Sequence, residues 1–405
     1  MLEPRPTLVV SDLHLGTASG IDVLRAPGAA RERLLAALDG VGRLVIAGDL
    51  LELRHGPAAT ILDRARELLG AIGRRLGPEG EVVLLAGNHD HRLVRPWIER
   101  RRQQRIALGT ADLAAPDEVS PIASAIAGAL GGPRLRIAYP GAWLLPPGAD
   151  GGGGVYVTHG HYQDALWRMP TIERLIAGVV ARAQRTTLDE LRAPEDFERL
   201  LTPGYGWMDG MAEYARGRAV SASQRTSAGV WEHLREGRGW RGRATRIGVP
   251  AAVRTLRRAG LGDLEHRITP ETLRIAGLRG MARMLDALAI RADHVIAGHL
   301  HRAGPLPGDA AWEWRLEHGG QLWNAGCWVH ANDLVSGSGP DSPYWPGRAV
   351  RVEPDGGVRL LRLLDDLADP WAGQSRPAPA VDPGGGGGLV APADQSPVGP
   401  LPLDD

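Results

Sequence analysis

The sequence predicts an α/β protein built on a parallel sheet whose strand ends carry metal-capable side chains, and three observations lead there. Short, continuously apolar runs recur, as in strands buried on both faces. They alternate with stretches of helical periodicity, the order that gives right-handed crossovers and a parallel sheet. Five of the runs stop abruptly at His, Asp or Asn: residues 9–16 (VVSDLHLG), 44–49 (LVIAGD), 82–90 (VVLLAGNHD), 155–161 (VYVTHGH) and 294–301 (HVIAGHLH). Ligands of open α/β sheets gather at the carboxyl ends of strands, so these residues are expected together at one edge.

In chain order, residues 8–10 form the first strand, with Asp12 and His14 at its end. Residues 28–40 (GAARERLLAALDG) have helical spacing and a closing glycine, and read as the first crossover helix. After the strand to Asp49, residues 58–76 read as the second helix, stopped by Gly77 and Pro78. The strand at 81–85 delivers GNHD, and the Arg-rich segment 93–110 reads as helical. Residues 134–139 and 142–145 read as strands of a more antiparallel region, and Gly151 to Gly154 feed the strand that carries His159. Much of 164–290 reads as helices, a block inserted between two strands of one sheet and therefore a cap over the strand ends. Residues 311–316, 321–329, 349–352 and 358–363 read as strands, the last two joined by the hairpin signal EPDGG. Beyond about 370 the chain is rich in Pro, Gly and Ser and lacks the apolar content to order itself. The expected organisation is a catalytic domain at 1–163 and 291–370, a helical cap at 164–290 and a disordered tail at 371–405.

Composition narrows the function classes. With 47 basic and 47 acidic residues the formal charge is zero, which gives no general reason to expect nucleic-acid or membrane binding. All 47 basic residues are arginine, the better side chain for gripping phosphate oxygens with two parallel hydrogen bonds. The single cysteine, Cys327, excludes an internal disulfide framework and a thiolate zinc site, and is expected to be a buried structural thiol. The opening MLEPRPTLVVSD has no signal-peptide core, and no run approaches the ~20 apolar residues that span a bilayer. A cytoplasmic protein is the expectation.

The strand-end residues form the pattern Asp12-x-His14, Gly48-Asp49, Gly87-Asn88-His89-Asp90, His159-Gly160 and Gly298-His299-x-His301. Mixed oxygen and nitrogen donors without thiolate suit Mn, Fe, Zn or Mg. A carboxylate can bridge two cations, Asn offers a neutral carbonyl oxygen, and neutral imidazoles complete the shells. Two cations ~3.5–4 Å apart can hold a hydroxide at neutral pH and neutralise phosphate oxygens during in-line attack. His89 is the candidate proton donor, because an imidazole titrates near neutrality.

These blocks and their order resemble the calcineurin-like metallophosphoesterases, whose pattern is DxH, GD, GNH[DE], H, GHxH. The resemblance runs from Asp12 to His301 and takes in the following NAGCW. It implies a four-layer α/β/β/α sandwich with a dinuclear metal site. It further implies that Asp12, His14 and His301 hold one metal, that Asn88, His159 and His299 hold the other, and that Asp49 bridges both. His89 would contact the scissile phosphate and its leaving oxygen, with Asp90 orienting the imidazole. SDLHLG, GDLLEL and the cap after His159 look most like the branch containing UDP-2,3-diacylglucosamine hydrolase, from which GNHD and THGHYQD depart.

His161 is placed between a role behind the metal ligands and a solvent-facing turn, and His91 is expected at the surface. Glu52 and His55 either line the pocket mouth or form an ordinary helix start. Residues 235–258 hold eight Arg against one acid, Glu236, either a steering surface for an anionic substrate or lipid or a solvated helical face. Trp167, Met169, Trp207, Met208, Met211 and Trp231 form either an apolar pocket or the cap's own core. The expected function is a metal-dependent phosphoesterase acting on a phosphomonoester, phosphodiester or pyrophosphate of a small or lipid-linked molecule, with two divalent ions as cofactors. The alternatives are a nuclease of the same family and a membrane-surface binding module whose cap docks on anionic lipid.

Overall fold

The continuous apolar runs become strands with both faces buried. In the computed structural model the described residues are 5–148, 153–167, 171–214, 270–331, 335 and 339–374. Strands β1 (Thr7–Val10), β2 (Arg43–Ala47) and β3 (Glu81–Leu85) lie side by side and parallel. Side chains of a strand alternate between faces, and here both faces meet a core. Leu8, Val10, Leu44, Ile46, Val82 and Leu84 join the cluster that also holds Leu34 of helix α1 (Ala29–Ala37) and Leu68 and Ile72 of helix α2 (Ala58–Leu76). Val9, Val45, Ala47, Val83 and Leu85 face the other way, toward Val155, Val157 and Ile296 of a second sheet.

After β3 come α3 (Arg95–Gln103), β4 (Asp112–Ala114), α4 (Pro116–Val119), α5 (Pro121–Leu130), β5 (Arg134–Tyr139), β6 (Gly141–Leu145) and β7 (Val155–Thr158). Then follow α6 (Gln163–Leu166), α7 (Ile172–Gln184), α8 (Pro194–Tyr214), α9 (Pro270–Ala287), β8 (His294–Ala297), β9 (Gln321–Asn324), β10 (Arg348–Val352) and β11 (Val358–Arg362). The first sheet has the order β11-β10-β1-β2-β3-β5-β4, and the second β6-β7-β8-β9. Both are mixed: β10, β11, β4 and β6 run antiparallel to their neighbours. The architecture is thus α/β, as expected, but the five ligand-bearing strands are shared between two sheets. The ends of β1, β2 and β3 belong to one, and those of β7 and β8 to the other. Strand pairing is a long-range property that apolar runs alone do not encode.

Several elements differ from the expectation. Residues 311–316 alternate like a strand, yet Ala311–Trp314 form a 3-10 turn that buries Trp314 and leaves Trp312 exposed. Trp314 lies beneath the Arg302 guanidinium, 5.0 Å from its ring centre, and that packing overrides the alternation. The Arg-rich helix stops at Gln103, and β9 ends at Asn324, whose side-chain amide turns to donate to the Gly298 carbonyl at 2.7 Å. Helix α5 was not expected; Ser120 caps it by accepting the Ala123 N–H at 3.2 Å, and Gly131 closes it in the left-handed region. The tail's first residues are held to the body, with Trp371 buried and Gln374 donating to the Val23 carbonyl at 2.7 Å.

Helices α6, α7, α8 and α9 fall between β7 and β8, which are neighbours in the second sheet. Residues 215–269 of the expected cap, which include Trp231 and the arginines at 235–258, lie outside the described residues, as do Met169 and the tail from 375 onward. Met208 is buried in the cap, as a core residue would be, whereas Trp207 is exposed. No described helix is long and apolar enough to cross a membrane.

Candidate metal centre

At each strand end the backbone turns sharply enough to enter the left-handed region. Eight described non-glycine residues have positive φ, and five of them are Asp12, His14, Asp49, His299 and His301. A side chain held there costs of order 1–3 kcal/mol, so such residues persist where the surroundings over-determine them, typically at functional sites. The turns are pinned across the sheet: Asp12 donates its N–H to the Gly48 carbonyl at 3.2 Å, and His14 donates to that of Asp49 at 2.9 Å. Gly48 is required twice over, since its φ is +93° and a Cβ would stand 2.3 Å from His159 Nδ1.

These turns bring all seven expected ligands together. Asp49 Oδ2 lies 3.7 Å from His14 Nε2 and 3.4 Å from His159 Nε2, between the two halves of the set. On one side, His14 Nε2 is 3.2 Å from His301 Nε2 and 3.8 Å from Asp12 Oδ1. On the other, Asn88 Oδ1 lies 3.1 Å from His159 Nε2 and 3.2 Å from His299 Nδ1. Three groups offer ligand atoms within 4.8 Å of one another: Asp12, His14 and His301; Asp12, Asp49 and His159; and His14, Asp49 and His89.

Each histidine has a partner behind it. His14 Nδ1 meets Glu52 at 3.1 Å, His159 Nδ1 meets the Ala47 carbonyl at 2.8 Å, and His299 Nε2 meets Asp164 at 2.8 Å. His301 has the Cys327 thiol beside it, so the lone cysteine is buried, as expected, and also touches the site. Metal-binding histidines characteristically hand their second nitrogen to such a partner, which fixes the ring and aims the other nitrogen inward.

The electrostatics ask for positive charge. Burial would raise Asp12, but the charges of His301 and His159 outweigh it and hold the carboxyl at about 2. Burial likewise opposes ionisation of Asp49, and the histidines at 159, 89 and 14 pull it well below the ordinary carboxyl range. His159 is driven up to about 9 against its own burial, chiefly by Asp49. Asp12 Oδ1 is buried 3.2 Å from His301 Nε2 without the alignment of a hydrogen bond, and His301 Nε2 in turn stands 3.2 Å from His14 Nε2. Such converging carboxylate and imidazole atoms fit a cation among them, and the nitrogen and oxygen donors suit Mn, Fe, Zn or Mg.

Two expected roles need correction. Asp90 does not orient His89: it accepts the N–H groups of Gly87 at 2.7 Å, Leu50 at 2.9 Å and Leu51 at 3.3 Å, tying two strand ends together. Glu52 holds the imidazole instead, at 2.8 Å from His89 Nδ1. His89 also does not titrate near neutrality; burial lowers it to about 4, Glu52 opposes this, and the charge of nearby Arg54 adds to the lowering. Glu52 grips His14 and His89 with one carboxylate, so it lines the site while also standing at the start of the 3-10 turn Leu53–His55. A lone acid three residues beyond a candidate ligand, inside the apolar run LLEL, was the available signal.

His91 and His161 are both buried, not at the surface or in a solvent-facing turn. They belong to a polar cluster centred on Glu198 of α8. His91 Nε2 lies 3.0 Å from Glu198, Tyr162 and Thr202 donate to it at 2.7 and 2.6 Å, and Tyr139 donates as well. His161 Nε2 lies 3.1 Å from the Tyr139 hydroxyl. His55 is also buried, with its Nδ1 2.9 Å from the Thr17 hydroxyl, away from the ligands.

No protein-family model matches the chain, and no curated protein matches it.

Proposed function

We propose that the protein is a metal-dependent phosphoesterase with a dinuclear centre, of the calcineurin-like metallophosphoesterase kind. The observation that carries this reading is the placement of Asp49 Oδ2 between two donor sets, 3.7 Å from His14 and 3.4 Å from His159. A carboxylate oxygen so placed suits a bridge. Asp12, His14 and His301 would hold one ion, Asn88, His159 and His299 the other, with Asp49 shared. On the same reading, the two facing sheets with helices outside them are the four layers of the family's sandwich.

A pair of divalent cations supplies Lewis acidity toward phosphoryl oxygens and a nucleophile formed from water at neutral pH. The chain's own contribution is placement. Glu52 fixes the rings of His14 and His89 together, so the candidate ligand and the candidate leaving-group contact move as one. His89 turns Nδ1 to Glu52 at 2.8 Å, and its Nε2, 3.4 Å from Arg54 Nη1, would be the nitrogen to meet a phosphoryl group. The negative charge of such a group favours a protonated imidazole, and Glu52 already stands opposite to support it. On this reading the substrate is a phosphorylated small molecule or the head of a lipid-linked one. The membrane-surface reading rests on the arginines at 235–258, outside the described residues, and the nuclease reading on those arginines together with the GNHD turn.

The test is metal content of the purified protein with hydrolysis of bis-p-nitrophenyl phosphate after manganese addition. About two metal equivalents per chain and metal-dependent turnover are expected. A protein that takes up no transition metal and shows no turnover across a metal screen overturns the reading.

A further inference from the structure

We propose that Arg54 and Tyr205 form a subsite beneath the cap that grips a terminal phosphoryl group, making the enzyme selective for phosphomonoesters over phosphodiesters. This deepens the metal-dependent phosphoesterase reading and rests on it.

Arg54 lies in the 3-10 turn Leu53–His55 that follows β2, and it is 4 % exposed. Only one of its terminal nitrogens is engaged: Nη1 is 3.4 Å from His89 Nε2 and 3.6 Å from Glu173 of α7. Its Nε and Nη2 are buried with no hydrogen-bond partner. Those two nitrogens form one edge of the guanidinium, whose parallel N–H bonds match two oxygens of a phosphate. Leaving two buried donors of a charged group unpaired is costly, and a bound anion removes that penalty. A purely structural arginine, placed to hold α7 through Glu173, would not need that edge free.

Tyr205 of α8 supplies the second observation. Its ring lies 5.7 Å from the Arg54 guanidinium carbon, and its hydroxyl is buried without a partner in a residue only 1 % exposed. On its other side its ring centre is 5.9 Å from that of His161, which is itself 5.5 Å from the ring of the candidate ligand His159. The unpaired donors of Arg54 and Tyr205 therefore come from the strand end and the cap respectively, next to His89 on one flank and the His159 side on the other.

Beside a dinuclear centre this arrangement discriminates by counting oxygens. A diester has two non-bridging oxygens, both of which the cations would take. A monoester has three, and its greater negative charge suits an arginine held out of water. The third oxygen, present only on a terminal phosphoryl group, is the one left over, and the Nε and Nη2 groups of Arg54 would converge on it.

The test uses the full chain loaded with manganese. Manganese stoichiometry, inorganic phosphate binding by calorimetry, and kcat/KM for p-nitrophenyl phosphate and bis-p-nitrophenyl phosphate are measured for wild type, Arg54→Lys and Tyr205→Phe. Lysine keeps the charge and loses the paired N–H groups. Arg54→Lys is expected to retain manganese, to bind phosphate at least about tenfold more weakly, and to lower the monoester-to-diester ratio of kcat/KM by a similar factor. Tyr205→Phe is expected to follow with a loss of about three- to tenfold, and carries the test if Arg54→Lys does not fold. Unchanged phosphate affinity and an unchanged ratio in folded, manganese-loaded variants overturn the subsite while leaving the metal centre standing. Wild type that binds no manganese overturns the metal-dependent reading, and the subsite with it.

Discussion

Two buried clusters of histidine and carboxylate lie close together in this protein, and they are built on opposite principles. Around Glu198 each carboxylate oxygen meets two partners: one takes the hydroxyls of Tyr139 and Tyr162, and the other meets Thr202 and His91. Around Asp49 carboxylate, amide and imidazole atoms converge on one another. His14 and His301 turn nitrogens toward each other, Asn88 turns its oxygen to two imidazoles, and Asp12 keeps an oxygen with no donor aligned on it. The Glu198 carboxylate is satisfied by the polypeptide and latches α8 to the strand ends. The second cluster gathers its carboxylates and imidazoles around a common point, an arrangement that suits a bound cation. Residue type alone therefore does not separate a site from a strut; the arrangement of the atoms does.

The sharpest way to break this contrast is to remove the shared carboxylate. Asp49→Ala is expected to abolish turnover and reduce bound manganese from about two equivalents per chain to background, measured by elemental analysis. Retention of one firmly held ion would show that the two donor sets are independent and that Asp49 does not join them. His89→Ala comes next. It should cut kcat by about 10²- to 10⁴-fold, the usual range for a residue that moves or steadies a proton, with manganese content unchanged. Loss of metal in that variant would make His89 a ligand alongside His14 and Asp49 instead.

Glu52→Gln probes the support behind the centre. The carboxylate meets His14 at 3.1 Å and His89 at 2.8 Å, so an amide disturbs both rings without deleting a proposed ligand. Manganese affinity should fall about 10- to 100-fold, the usual effect of removing a partner behind a ligand. Turnover at saturating manganese should recover in large part. A variant with wild-type manganese affinity would show that the backbone turns, rather than Glu52, fix His14.

Much of the site was legible in the sequence because its signals are local. A strand buried on both faces is one unbroken apolar run, and a Gly-Asp or Gly-Asn step marks where it turns, so 44–47 and 82–85 carry the strands expected of them. Helix 58–76 was equally plain from its spacing and its closing glycine and proline. What stayed hidden depends on partners far away along the chain. Nothing near His159 says that its strand leaves the sheet of Asp12 and Asp49. Glu198 sits in an amphipathic helix where an acid normally faces water, and only Tyr139, Tyr162 and His91 from other elements turn it inward. His91, one residue after the GNHD turn, looks superficial for the same reason. Arg54 was masked by the helix-start reading of its neighbours, since a free guanidinium edge is a property of geometry and not of residue order.

The Glu198 cluster gives the smallest expected effect on catalysis and a clear one on stability. Burial alone would raise its carboxyl, but the charge of His91 and the hydrogen bonds from His91, Thr202 and Tyr139 outweigh burial and hold it at about 2, against an ordinary 4.5. A folded-state value below the unfolded one stabilises the protein above the unfolded value, and that stability is lost as pH falls toward the folded value. The difference corresponds to ~3 kcal/mol, present in full above about pH 5 and draining away between about pH 4.5 and pH 2. Glu198→Gln keeps the shape, removes the titrating group and confronts the donors with an amide N–H. It should be less stable than wild type near neutral pH by ~3 kcal/mol in urea unfolding, and it should lose less stability than wild type between about pH 5 and pH 3. Manganese stoichiometry should be the same in both proteins, because no proposed ligand leans on Glu198. Parallel acid profiles for the two would place the acid-sensitive carboxylates elsewhere. A loss of manganese would mean that the latch and the metal centre are a single cooperative unit, and would erase the distinction between them.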